Sequence, residues 1–251
     1  MALSSLVSAE IFAFLLVFTR IGTILMLMPL FAENYIPSWI RLGLAFSIAV
    51  VMTPIIAADL PPEPAGFVGL LLLLAGEFMV GLFLGLFMRI LISALTTAGI
   101  LISFISGFSA ALMFNPLLQS QGVLHSALLT LGGLMFLLAL DLHHLFFIAA
   151  ADSYILIPTL SESGDMAETI ARAVSASFTM GLKLTAPVMV ITLLFYSVLG
   201  IASRLMPQLH IFFIGLPIQI ALSLLVLASV FLTMMLYYAE YFADTMQLLT
   251  L

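Results

Sequence analysis

The stretch YSVLGIASRLMPQLHIFFIGLPIQI (residues 196–220) separates two long apolar runs, one beginning at residue 184 and one reaching residue 239 without a formal charge. Its polar and helix-breaking residues fall into two groups, first Arg204, Pro207 and Gln208, then Gly215 and Pro217. Proline removes a backbone donor and clashes with the preceding turn, so two prolines at this spacing predict that a helix stops or bends. The stretch is either a tight polar turn between two transmembrane helices or a joint with a functional role. Both interpretations stay open on these residues alone.

The composition of the whole chain excludes a water-soluble globule. Of 251 residues, 64% are hydrophobic and 7% are charged, whereas soluble domains carry about 25% charged residues. The chain is therefore predicted to be an integral membrane protein or part of an equally apolar assembly. The absence of cysteine excludes disulfides and thiolate metal sites, and the net charge of -6 argues against a nucleic-acid partner.

The apolar residues form six segments, which predict an all-α fold with one domain over residues 1–251. The segments are 5–28, 40–58, 67–103, 123–154, 167–203 and 209–245. They group as three helical hairpins. The third segment contains no proline, and as one helix it would be about 55 Å long at about 1.5 Å per residue. Because the hydrocarbon core of a bilayer is only about 30 Å thick, such a helix would protrude, bend, or not span in the usual way.

Charged side chains lie inside these apolar segments, among them Arg20 in the first segment and Glu77 and Arg89 in the third. Each would cost about 2.5–3.5 kcal/mol at mid-membrane unless it is paired or faces water. Glu77 and Arg89 are too far apart to meet on one helix, so each is expected to find a partner elsewhere or a wet surface. Gly81 and Gly85 follow Glu77 at intervals of four and are expected to form a close-packing face.

The stretch SFISGFSAALMFNPLLQSQG (residues 103–122) interrupts a region without charged residues. Gly107 permits unusual backbone angles, and Asn115 with Pro116 is typical of a turn. Irregular backbone cannot face lipid, so this apolar loop is expected to be covered by protein or to line a cavity. It is the strongest functional indication that the residues themselves provide.

Catalytic chemistry is not expected. The nearest group of convergent polar residues is Asp141, His143, His144 and Asp152. A metal site needs three or four ligands, and two adjacent histidines point about 100° apart on a helix. Nucleophile-elbow, phosphate-loop and zinc-protease motifs do not occur, so we predict neither an enzyme nor a cofactor or metal.

A polytopic secondary transporter is the alternative that the residues leave open. Broken helices and charges within apolar segments would suit a transporter, as would small residues at helix contacts. The lack of visible repeat symmetry and the length of the segments argue against it.

The chain resembles the FliR family, the R subunits of the flagellar type III export gate, over nearly its whole length. The matching residues keep their order along the chain: Arg20, Pro29 and Pro37-x-x-x-Arg41; Glu77-x-x-x-Gly81-x-x-x-Gly85; Gly107 and Asn115-Pro116; His144, Ser153 and Pro158; Pro187; Gly200-x-x-x-Arg204-x-x-Pro207-Gln208 and Gly215-x-Pro217. Asn115 departs from the aspartate expected before this proline, which puts a charge-based role for the position in doubt. Virulence-type secretion systems contain homologous R subunits, which is the alternative within the resemblance.

The resemblance implies an architecture that hydropathy alone would miss. Such subunits are kinked helical hairpins that join several P and Q subunits in a hetero-oligomeric helical assembly around a pore, next to the B switch subunit. The assembly is expected in the bacterial inner membrane and inside the ring of the flagellar basal body, with much of it above the membrane plane. Unfolded rod, hook and filament proteins would be its transient substrates, and the proton-motive force and a separate ATPase would drive them.

The resemblance also implies roles for particular residues. The segment 104–114 becomes the candidate plug of the resting channel, with Phe104, Ser106, Gly107, Phe108, Met113 and Phe114 as its gating residues. A packed loop without a gating role is the other interpretation. Inter-subunit or structural roles follow for Arg20, Glu77, Arg89, Asn115, Pro116, Arg204, Pro207, Gln208, Gly215 and Pro217. Among these, Glu77, Arg89 and Arg204 are expected to form ion pairs at subunit interfaces.

Overall fold

Seven α-helices are present in the part of the chain that the computed structural model describes, which is residues 2–29, 36–57, 60–64, 66–108, 123–157, 163–206, 211–247 and 249. In chain order they are α1 (Ala2–Leu27), α2 (Ser38–Ile56), α3 (Phe67–Ile105), α4 (Val123–Ala139), α5 (His144–Leu156), α6 (Ser163–Leu205) and α7 (Ile211–Gln247). These described residues contain no β-strand. The all-α prediction is confirmed.

Five of the six predicted segments are single helices, whereas the fourth is divided into α4 and α5. The division is a Schellman-type helix end. Asp141 takes the left-handed position with φ 57°, the Leu142 N–H donates to the Leu137 carbonyl at 2.9 Å, and the Asp141 N–H donates to the Leu138 carbonyl at 3.2 Å. Aspartate is one of the few residues other than glycine that adopts left-handed backbone angles. Asp141 therefore ends a helix.

The lengths of the helices confirm a membrane-type protein. Five are long and apolar enough to cross a membrane, or six if α4 and α5 count as one broken span, within the described residues. Helices α3 and α6 have 39 and 43 residues. At about 1.5 Å per residue they are roughly 60 and 65 Å long, about twice the hydrocarbon thickness of a bilayer.

The second group of helix-breaking residues lies inside a helix. Gly215 and Pro217 are near the start of α7, which runs from Ile211 to Gln247, so of the two predicted outcomes a stop does not occur at Pro217. Pro217 is the seventh residue of α7, so its missing N–H removes one intrahelical hydrogen bond near the start of the helix. Helix α2 begins directly after Pro37, which is its N-cap residue.

The chain falls into two compact units. Unit A comprises Met1–Leu91, His143–Val174 and Ala243–Leu251, and unit B comprises Ile92–Leu142 and Ser175–Phe242. Helices α3, α6 and α7 each contribute residues to both. The single domain over residues 1–251 stays a prediction.

In unit A, α1 packs against α2 and α5. The ring of Phe14 on α1 meets the ring of Phe46 on α2 edge-on, with 5.2 Å between their centroids. Ile21 and Leu25 of α1 line a small apolar cavity together with Met52 of α2 and Phe146 of α5. The core of this unit is therefore built from one face of α1.

In unit B, close approaches of helix backbones form the core. A Cβ atom at Gly181 of α6 would lie 3.0 Å from the carbonyl oxygen of Ala94 on α3. Helix α7 packs against a side chain of α6, since a Cβ atom at Gly215 would lie 2.8 Å from Cδ1 of Leu199. This contact pairs α6 with α7, as the hairpin prediction requires.

Candidate functional site

Arg20 of α1 is at the centre of a buried polar cluster in unit A. Its side chain is 1% exposed, and its Nε donates a hydrogen bond to Oε2 of Glu77 on α3 over 2.6 Å. Nη1 donates to the carbonyl oxygen and to Oγ of Ser153, at 3.0 and 3.2 Å, and Nη2 donates to the carbonyl oxygen of Ile157 at 3.4 Å. The guanidinium thus joins α1, α3 and the C-terminal end of α5.

The surroundings of Arg20 compensate its charge in three ways. The carboxylate of Glu77 provides the counter-charge, and the carbonyls at the end of α5 carry the negative end of a helix dipole. The ring of Tyr154 lies under the guanidinium with 4.1 Å from Cζ to the ring centroid, a cation–π contact. A fully buried arginine is tolerable only with such compensation.

Glu77, Gly81 and Gly85 form one face of α3, because residues four apart lie above one another on a helix. A Cβ atom at Gly81 would lie 2.8 Å from the backbone oxygen of Arg20, and one at Gly85 would lie 2.6 Å from Cβ of Leu27. Both glycines therefore permit the backbone of α3 to approach α1. The packing interpretation of these glycines is confirmed.

The ion pair expected for Glu77 at a subunit interface is instead formed within this chain. The close approach of α3 and α1 at Gly81 places Glu77 beside Arg20 and away from any outer surface. Arg89 on α3 and Arg204 in the last turn of α6 are exposed, and neither forms an ion pair with any described residue. Their assignment to subunit interfaces stays a prediction.

A second cluster, in unit B, surrounds the C-terminal end of α3. The N–H of Ser106 still donates to the carbonyl of Ile102 at 2.9 Å, but Gly107 has φ +74° and turns the chain out of the helix. The hydroxyl of Ser106 donates to the carbonyl of Ser103 at 3.1 Å and accepts the N–H of Phe108 at 3.4 Å. Ser106 is buried, whereas the Phe104 side chain is 67% exposed.

Gln219 of α7 contacts this helix end directly. Its Nε2 donates to the carbonyl oxygen of Ile105 and to the hydroxyl oxygen of Tyr196 on α6, both at 2.8 Å. On another side, the ring of Phe108 meets the ring of His125 on α4 edge-on, with 5.1 Å between centroids. Helices α7 and α4 thus contact the point where the chain leaves α3, and α6 contacts Gln219 through Tyr196.

The structure brings together two groups of the predicted site residues. Phe104, Ser106, Gly107 and Phe108 lie at the end of α3, and Arg20 lies beside Glu77. Gly215 is buried against Leu199, and Pro217 is exposed on α7. Six predicted residues lie outside the described part of the chain: Met113, Phe114, Asn115, Pro116, Pro207 and Gln208.

Sequence reasoning did not single out Tyr154, Tyr196 or Gln219 for these clusters. A usable signal existed for Gln219, because an amide inside an apolar helix is costly unless its hydrogen bonds are satisfied. Tyr154 and Tyr196 carry no comparable signal, since a tyrosine in an apolar segment is ordinary. Only the packing of the helices shows what their rings and hydroxyls contact.

Comparison with known proteins extends over nearly the whole chain. Residues 11–245 match the family described as bacterial export proteins, family 1. The chain is 34% identical over 221 residues to the flagellar biosynthetic protein FliR of Caulobacter vibrioides, covering 87% of this chain and 88% of that protein. It is 36% identical over 220 residues to the FliR protein of Bacillus subtilis, covering 86% and 84%. It is 25% identical over 242 residues to the Yop proteins translocation protein T of Yersinia pestis, covering 93% and 91%.

Proposed function

The chain belongs to family 1 of the bacterial export proteins, and we propose that it is a component of the flagellar type III protein export gate. The observation that carries this proposal is similarity along the whole chain to flagellar relatives. Identities of 34% and 36% to two FliR proteins exceed the 25% identity to a Yop translocation protein. The flagellar assignment is therefore favoured over a virulence-type secretion system.

The proposed partners are the P and Q subunits of the gate and the B switch subunit, in the inner membrane at the flagellar basal body. Supporting this, Phe178 and Leu205 of α6 are both exposed, at 55% and 75%, although 27 residues separate them. That is about 40 Å of helix. Since a bilayer core covers only about 30 Å, it does not cover both ends of α6 at once, and a neighbouring subunit would cover the apolar side chain left outside it.

The proposed role of this chain is to form part of the wall and the resting seal of the export channel. Unfolded rod, hook and filament proteins pass through the channel, and the proton-motive force with a separate ATPase supplies the energy. This role needs no catalysis by the chain itself. Residues 104–114 are the proposed plug segment. The buried end of α3 supports this assignment, because it holds the base of the segment in place without any charged side chain.

The plug proposal is tested by deleting residues 106–110 and measuring ion leakage across the membrane together with export of flagellar proteins. Leakage rises if the segment seals the channel. The matched control deletes residues 60–64, another five-residue stretch between helices, and leaves leakage at its ordinary level. Unchanged conductance and unchanged export after the first deletion would refute the plug.

Membership of the gate is tested by gentle detergent extraction. The chain is expected to elute as a stable hetero-oligomer with other membrane subunits, and to restore motility in a flagellated strain that lacks its own relative. A chain that purifies alone or as a small homo-oligomer and binds a solute would instead be a transporter. Restored virulence-type secretion without motility would favour the other secretion system.

A further inference from the structure

The C-terminal end of α3 obtains a hydrogen bond from a side chain of another helix. The last four carbonyls of a helix have no partner within that helix and need one elsewhere. For Ile105, the last residue of α3, that partner is Nε2 of Gln219 on α7 at 2.8 Å. The position at which the chain leaves α3 is thus tied to α7.

Gln219 is itself fixed by its surroundings. Its side chain is 2% exposed, and the two donors of its amide nitrogen serve Ile105 and Tyr196. Rotating the amide would turn its oxygen toward the carbonyl of Ile105 and place two acceptors face to face. The side chain therefore has one arrangement that satisfies its nitrogen.

Gly107 brings the departing chain into contact with the same amide. A Cβ atom at this position would lie 3.3 Å from Nε2 of Gln219 and 3.2 Å from Cδ1 of Leu216. The left-handed φ of +74° at Gly107 directs the chain past Gln219, and the next residue, Phe108, packs on His125. Any movement of the segment that begins here must separate these groups.

We propose that Gln219, held by Tyr196, is the positioning residue of the export gate that keeps the base of the plug segment in its resting place. We call Gln219, Tyr196 and the Ile105 carbonyl the Gln219 latch. Its consequence for gating rests on the proposed plug function, whereas its effect on the position of residues 105–108 does not. Opening of the channel breaks the bond from Gln219 to Ile105 and lets Ser106 leave its buried position.

The latch is tested with a chemical label on the gate as extracted with its partners. The chain contains no cysteine, so Ser106→Cys introduces a single thiol at a side chain that is 0% exposed. Its rate of reaction with N-ethylmaleimide measures how often the base of the segment leaves its place. Three further variants alter the latch: Gln219→Leu and Gln219→Met each remove both donors, the second keeping the length of the side chain, and Tyr196→Phe removes only the supporting hydroxyl.

Both Gln219 variants are expected to increase the labelling rate about fivefold, the change in an equilibrium that one ordinary hydrogen bond produces. Tyr196→Phe is expected to increase it less, because the bond to Ile105 remains. The matched control is Ser223→Ala, which lies one turn further along α7, is also buried, and loses only a bond to the carbonyl of Ile220 on its own helix. It leaves the labelling rate unchanged.

Two results would overturn the latch: unchanged labelling in the Gln219 variants, or an equal increase in Ser223→Ala, which would indicate general loosening. If Gln219→Leu does not assemble, Gln219→Met and Tyr196→Phe decide the question. The plug function is tested by a separate outcome. If the Gln219 variants label faster but ion leakage does not increase, the latch is supported and the plug is refuted. If deletion of residues 106–110 causes leakage but the Gln219 variants label at the ordinary rate, the plug is supported and the latch is refuted.

Discussion

Nε of Arg20 and Oε2 of Glu77 lie 2.6 Å apart, with only 1% and 6% of the two side chains exposed. The pair joins α1 to α3, and the other nitrogens of Arg20 hold the end of α5. Burying two charges gives little net stability, but removing one partner leaves the other charge unpaired in an apolar interior. The stability of unit A is therefore expected to depend strongly on keeping both partners of the pair.

Glu77→Gln is expected to destabilise the folded chain by about 3–5 kcal/mol, because the Arg20 guanidinium stays buried without its counter-charge. The measurement is the thermal unfolding midpoint of the purified gate, together with its yield. The double variant Arg20→Met with Glu77→Leu is expected to recover part of this loss, since it removes both buried charges. Equal stability of Glu77→Gln and the unaltered chain would contradict the argument.

An exposed ion pair provides the control for this prediction. Arg172 and Glu168 pair at the surface of α6, with 78% and 62% of their side chains exposed. Water screens such pairs, so Glu168→Gln is expected to leave the unfolding midpoint almost unchanged. The contrast separates the effect of burial from the loss of an ion pair as such.

Gly81→Ala is expected to destabilise the chain by about 1–3 kcal/mol, the ordinary cost of overpacking. The added Cβ would lie 2.8 Å from the backbone oxygen of Arg20, in the interior of α1, which cannot move aside alone. Gly85→Ala is expected to cost a similar amount, because its added Cβ would lie 2.6 Å from Cβ of Leu27, which moves only with the backbone of α1. The unfolding midpoints of the two variants measure both costs.

Gly22→Ala is the matched control for these helix glycines. A Cβ atom at Gly22, also inside α1, would have no neighbour within 4 Å. Alanine is favoured over glycine in a helix interior by up to about 1 kcal/mol, so this variant is expected to be as stable as the unaltered chain or slightly more so. A loss at Gly22 equal to that at Gly81 would refute the close-packing explanation.

Gly107→Ala is expected to weaken the resting position of residues 105–108. A residue with a side chain in the left-handed region costs about 1–3 kcal/mol, and here the added Cβ also approaches Gln219. Ion leakage through the resting gate is expected to rise. Gly200→Ala is the control, because Gly200 lies inside α6 with no neighbour within 4 Å of an added Cβ. Leakage from the control equal to that from Gly107→Ala would contradict the prediction.

The helices could be predicted from the sequence because long apolar runs have few other stable forms in a membrane-type protein. The break at Asp141 could not be predicted in the same way. A left-handed residue at a helix end is usually glycine. Asp141 is not, and its nearness in sequence to two histidines makes it a possible metal ligand instead of a predicted helix end. The hydrogen bonds of Asp141 and Leu142 show that the residue ends α4.

The sequence predicted that Glu77 needs a partner, but not which one. Arg20, Arg89 and Arg204 are equally good partners by charge, and only the close approach of α3 and α1 at Gly81 selects Arg20. The role of Gln219 was not predicted either. Its amide is uncharged and therefore less conspicuous than an arginine or a glutamate in an apolar segment, but a buried amide also needs hydrogen-bond partners.

Arg204→Ala is expected to reduce assembly of the gate while leaving the fold of the chain intact. Arg204 is exposed in the last turn of α6 and forms no ion pair with any described residue, so within the described part of the chain its charge acts through the helix dipole. That contribution is typically less than about 1 kcal/mol. A large loss of hetero-oligomer in gentle detergent would therefore come from a contact with another subunit.

Arg172→Ala, another exposed arginine on the same helix, is the control and is expected to assemble normally. Normal assembly of Arg204→Ala would show that Arg204 makes no essential contact at a subunit interface.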